Sequence, residues 1–122
     1  MIAIHIEFIL LVTGVVTAIG GLQFFLPRKL AKMNFGAEPA GDAAVLLARH
    51  WGMLVLCYGA LLILASKDEA IRQPVMIAAA VEKAALVGNI FATSLRKHPS
   101  ALVIAVADSL MTLLYVAYLA GF

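Results

Sequence analysis

The chain has 122 residues, 64% hydrophobic and 13% charged, with a formal net charge of +2 and a mean hydropathy of +1.03. About a quarter of the residues in a soluble domain are charged, so this composition excludes an ordinary water-soluble domain, and the length allows one domain only. The basic residues fall in two short clusters rather than one broad patch, which argues against a nucleic-acid interface.

Taken in chain order, the N-terminal "MIAIHIEF" has no basic residue ahead of its apolar run, so it lacks the n-region of a secretory signal. The positive residues follow instead, in "LPRKLAK". A first span is predicted from about Ile4 to Leu26, stopping at Pro27. A second runs from about Ala43 to Ala65, with Asp42 as its N-cap. A third starts at Pro74, a favoured first-turn residue, and ends near Leu95. A fourth runs from about Ser100 to Ala120 behind Pro99. Each reaches the length of about 20 residues that a bilayer requires. In the longer connection from Pro27 to Asp42, "RKLAKMNFG" is predicted to lie on the membrane surface with Leu30, Met33 and Phe35 inward. The single Cys57 sits in an apolar run and reads as a small buried hydrophobe.

Orientation follows from the basic residues. Arg28, Lys29 and Lys32 lie in the first loop, and Arg96 and Lys97 in the third, whereas Lys67 and Arg72 adjoin Asp68 and Glu69. Loops one and three are therefore expected on the cytoplasmic side, with both termini outside. The predicted fold is an all-α, four-helix transmembrane bundle, a single integral-membrane domain covering residues 1–122.

The third span carries "AAAVEKAALVG", with adjacent charges at its centre. Such residues cost roughly 2.5–3.5 kcal/mol each on insertion and usually face the bundle interior or water. Neighbours on a helix do not face one another, so Glu82 and Lys83 need separate partners. Glu82 is placed roughly 12 Å inward from Pro74, and Glu7 roughly 9 Å from the chain's start, near His5. These four residues form an expected outer polar layer. Arg49 and His50, roughly 10 Å inside Asp42, and Asp108, roughly 12 Å inside Ser100, form an inner one. Arg49 and Asp108 are the expected structural ion pair, since a guanidinium suits a carboxylate in a fork. Small and polar residues mark the faces expected to pack. These are Glu7, Gly14, Ala18 and Gly21 in the first span and Gly52 and Gly59 in the second. In the third they are Ala78, Glu82, Ala85, Asn89 and Ala92, and in the fourth Ala105, Asp108, Thr112 and Tyr115.

These charges either pair to fix helix register or line a small-molecule or proton site. In the second case Glu7, Glu82 and Asp108 are its acids, with His5 and His50 titrating near neutral pH. Lys83, Asn89 and Tyr115 complete the candidates. His5, His50 and His98 sit at different depths and no zinc-type cluster exists, so no metal is predicted. "TGVVTAIGG" lies inside a span, where its glycines serve packing. Trp51 with Tyr58, and Tyr115 with Tyr118, can clamp a flat ligand such as a quinone or sterol. Paired acids also suit the proton transfers of an isomerase.

The four-span arrangement, "ARHWGMLVLCYGALLILA" with its arginine ahead of Gly52 and Gly59, "AAAVEKAAL" and "AVADSL" together resemble the DoxX-like small four-helix membrane proteins. The resemblance covers about the last two-thirds of the chain; the first span lacks the early arginine and glycine pattern of DoxX itself. It implies a bacterial inner-membrane protein. Some members of that group are subunits of quinone-linked oxidoreductases and others assist assembly, but no catalytic residue carries over. The small multidrug-resistance transporters also have four short helices and a first-span glutamate, yet "HIEFILL" does not match their pattern. The leading expectation is an accessory subunit or lipophilic-ligand-binding protein, in contact with the lipid bilayer and with a larger membrane protein or further copies of itself. A proton-coupled oligomeric transporter and an isomerase-type membrane enzyme are the alternatives.

Overall fold

The computed structural model describes residues 2–122, and among these it contains helices and turns only. Helix α1 spans Ile6–Gly20 and is extended at both ends by 3-10 turns, Ile2–His5 and Gly21–Phe24. It is followed by α2 (Pro27–Phe35), α3 (Asp42–Lys67), α4 (Glu69–Phe91) and α5 (Pro99–Leu119). Four stretches are long and apolar enough to cross a membrane: Ile2–Phe24, α3, α4 and α5.

The third span starts earlier than its proline suggests. Asp68 adopts extended backbone and its carboxylate accepts the Ala70 N–H at 3.0 Å, so α4 begins at Glu69. A capping side chain satisfies a helix's orphan N–H groups, and here it overrides the preference of Pro74 for a first turn. Pro74 lies within α4. The same helix ends at Phe91 rather than near Leu95, which belongs to a separate 3-10 turn, Ser94–Lys97, capped by Thr93. At the start of α3 the cap is Gly41, at φ +84°, and Asp42 is the first helical residue. Arg72, expected in a loop, is buried in α4. It donates to the carbonyls of Ala65 (2.9 Å) and Ser66 (3.1 Å), which close the end of α3. Those carbonyls carry the negative end of the helix dipole, and a guanidinium satisfies both.

Helix α1 packs most extensively on α3, and α4 on α5, with α3 and α4 joining the two pairs. The α1–α3 approach depends on absent side chains. A Cβ at Gly59 would stand 2.5 Å from the Ala18 backbone nitrogen, and one at Gly52 would collide with the backbone of Phe24. These positions are the small-residue contacts anticipated for the second span. Two apolar clusters flank the middle of the bundle. One, around Leu10, Leu62, Met76 and Tyr115, lies toward the termini. The other joins Ile90, Ala101 and Ala105 to Phe35 and Leu86 at the opposite end. The chain's ends meet: the Ala3 N–H donates to the Phe122 carbonyl at 3.2 Å.

Helix α2 closes the other end, against α3 and α5. Its inward face is not the one anticipated. Pro27 and Ala31 are buried, Leu30 and Phe35 half-buried, and Met33 points out at 55% exposure. Pro27 and Ala31, four residues apart, share a stripe whose small side chains let α2 lie close to its neighbours. Phe35 then packs edge-on to Trp51, with ring centroids 5.7 Å apart. Cys57 also faces outward rather than into the core.

Because the obstacle at Gly59 is backbone, Gly59→Ala is expected to destabilise the fold by about 1–3 kcal/mol. A thermal unfolding midpoint in detergent micelles checks this. Gly88→Ala, where an added Cβ meets open space, is expected to be neutral or stabilising by up to about 1 kcal/mol, through helix propensity.

Candidate functional site

Between the two apolar clusters lies one polar level. Lys83 is 2% exposed. Its ammonium donates to the Thr17 hydroxyl at 2.9 Å and to Asp108 Oδ1 at 3.3 Å, tying α4 to α1 and α5 at one point. A seam of hydroxyls continues toward the termini. Tyr115 donates to the Thr13 hydroxyl, and Thr13 donates to its own helix at the Ile9 carbonyl, 2.7 Å away. Thr13 and Thr17 share a face of α1 by their spacing of four, as do Asp108 and Tyr115 on α5 by their spacing of seven. An unpaired ammonium in such surroundings would be costly, so the contacts to Thr17 and Asp108 are what permit Lys83 there.

Beside this level is a cavity of about 210 Å³. Its walls are mainly apolar, from Val16 and Gly20 on α1, Val55 and Trp51 on α3, Leu86 on α4, and Val103, Ile104 and Ala107 on α5. Polar groups enter from Thr17, Glu82, Lys83 and Asp108 at the level just described, and from Asn34 on α2. Val16 and Val103 line the cavity yet are 46% and 68% exposed, so it opens sideways between α1 and α5. Glu82 is half-buried and, among the described residues, forms no hydrogen bond or ion pair.

The structure redistributes the residues singled out from sequence. Two polar layers were expected; Glu82, Lys83 and Asp108 instead share one. Depth along the third span was counted from Pro74, whereas α4 begins five residues earlier, a shift of about 7.5 Å at 1.5 Å per residue. Lys83, not Arg49, is the partner of Asp108. Arg49 and His50 lie off the face of α3 that carries Gly52, Val55, Gly59 and Leu62. Both are exposed, in a surface groove with Phe24, Asp42 and Met53. His5 and Glu7 are exposed at the terminal end of α1, and Glu7 is roughly 15 Å along the helix from Thr17. Asn89 is exposed and its amide donates to the Ala85 carbonyl of its own helix at 2.9 Å. Ala78, Ala85 and Ala92 face outward with it; the packed stripe of α4 is Met76, Ala79, Ala80, Lys83 and Ile90. That stripe is rotated by about one residue, or roughly 100°. On α5, Ala105 and Tyr115 are buried, with Asp108 and Thr112 half-buried. Of the aromatic pairs, Trp51 lines the cavity, whereas Tyr58, Tyr115 and Tyr118 pack on the core near the termini.

Several residues of this middle region had gone unremarked. Thr13 and Thr17 share the face of Gly14 and Gly21, so the close-packing stripe of the first span already pointed to them. Gln23 is buried and its amide donates to the Ala48 carbonyl of α3 at 3.0 Å. Among the described residues no group of three or more histidine, cysteine, aspartate or glutamate side chains is placed to hold a metal ion. No protein-family model matches this chain, and no characterised protein or solved structure is significantly similar to it.

Lys83→Met is expected to cost about 3 kcal/mol, the scale for breaking a buried pair from one side. Lys83→Met with Asp108→Leu together should cost less than the two single losses combined, as read by denaturant unfolding in micelles. Arg49→Met combined with Asp108→Leu is expected to be additive within about 0.5 kcal/mol, because the two sites share no contact.

Proposed function

We propose that this protein binds a lipophilic molecule within the membrane, admitting it sideways between α1 and α5 and holding its polar head at the level of Glu82, Lys83 and Asp108. The observation that carries this reading is the cavity itself: apolar walls with its polar groups gathered chiefly at one depth, open toward the side on which lipid would lie. Sites that enclose whole drug-sized ligands measure about 300–1,000 Å³. A space of about 210 Å³ suits a head group whose tail remains in the bilayer.

The wider setting belongs to the same proposal. The basic residues of the first and third loops favour the cytoplasmic side for the α2 end and the outer side for both termini. With the resemblance to DoxX-like proteins, this supports a bacterial inner-membrane protein, and an accessory role beside a larger membrane protein accords with its size.

Native mass spectrometry of the protein released gently from its own membrane tests the ligand. A reproducible small-molecule adduct is expected on the wild type. Ala107→Phe, which places a ring inside the cavity, is expected to remove the adduct while leaving helicity unchanged. An adduct that persists in this variant would place the ligand elsewhere and overturn the reading.

A further inference from the structure

The charges around the cavity narrow the chemistry of the head it takes. Lys83 and Asp108 neutralise one another across 3.3 Å. That leaves Glu82, half-buried in the same wall, without an ion-pair partner among the described residues. Within an apolar enclosure an ionised carboxylate is stable only if a cation or hydrogen-bond donors approach it. The neighbouring hydroxyl, Thr17, accepts from Lys83 and turns its own O–H to Met111 Sδ, 4.0 Å away.

A second feature lines the same cavity. Trp51 enters it from α3, on the side toward α2. Phe35 packs edge-on against the indole and holds it in place. An indole face attracts cations, quaternary ammonium groups above all. An anionic head would instead meet two carboxylates and a lysine already shared between two partners.

Resting on the reading of the cavity as a lipophile site, we propose that its ligand is a lipophilic cation, an amine or quaternary ammonium on an apolar tail, with Glu82 as counter-ion and Trp51 as an aromatic wall of the same cavity.

Trp51 is the chain's single tryptophan, so its fluorescence reports from the cavity without background. The full chain in phosphatidylcholine liposomes is titrated with decyltrimethylammonium and, separately, with uncharged decanol. The ammonium is expected to shift Trp51 emission with an apparent affinity at least about tenfold above that of decanol, the scale of one desolvated cation–π and charge contact. Glu82→Gln is expected to bring the two probes within about twofold of each other, with far-UV circular dichroism matching the wild type to show that the variant is folded. Glu82→Asp should keep the preference for the ammonium. Equal affinities in the wild type, or a preference that survives Glu82→Gln, would overturn the cationic assignment and leave the lipophile reading standing, with a carbonyl head on Lys83 then favoured. Failure of both probes to saturate a Trp51 response would overturn both.

Discussion

A single ammonium group organises the middle of this molecule. Lys83 is almost wholly enclosed, and a lysine so placed is tolerated only because a carboxylate on one neighbouring helix and a hydroxyl on another reach it together. Hydrophobic attraction between helices is weak inside a bilayer, where lipid tails are as apolar as leucine. A contact that ties α4 to both α1 and α5 therefore fixes relative depth and rotation in a way that surrounding leucines and valines do not. Above and below it, apolar clusters fill the bundle.

The cavity follows from how the helices pair. Glycines draw α1 onto α3 until backbones touch, and α4 and α5 form the second close pair. Between α1 and α5 the connection runs through side chains, Thr13 with Tyr115 and Thr17 with Met111, while Lys83 bridges both helices from α4. Toward the α2 end that bridging stops, and the space bounded by Val16, Trp51, Glu82 and Val103 remains. Packing and site are thus one arrangement: the glycines decide which helices touch, and the gap they leave elsewhere exposes a carboxylate to an apolar enclosure.

Much of the architecture was readable from the chain. Length and hydropathy alone mark four spans, and the glycines at Gly14, Gly21, Gly52 and Gly59 announce where backbones approach. Site assembly was less legible, for identifiable physical reasons. Pro74 is a stronger local signal than Asp68, yet capping by Asp68 sets the helix start, and the five-residue error in depth split one polar level into two. The face of α4 was chosen by its alanines and Asn89, but the contact made by Lys83 turns the helix so that those residues point outward. Arg49 is the partner that the sequence suggests for Asp108, because counted depth puts both in the inner layer and Lys83 in the outer one, and a guanidinium suits a carboxylate in a fork. Rotation of α3, set by Gly52 and Gly59, carries Arg49 away from the interior instead. Threonines at positions 13 and 17 stood on the packed face of α1, and a spacing of four between hydroxyls on such a face is a signal for an interhelical polar contact.

Dipolar recoupling by solid-state NMR, on protein in bilayers with nitrogen-15 in lysine and arginine side chains and carbon-13 in aspartate carboxyls, bears most directly on this arrangement. A lysine ammonium strongly coupled to the Asp108 carboxyl, and lost in Lys83→Met, is the expected result, in keeping with a separation of 3.3 Å between Lys83 Nζ and Asp108 Oδ1. Coupling of Asp108 to an arginine guanidinium, or to no side-chain nitrogen at all, would contradict it.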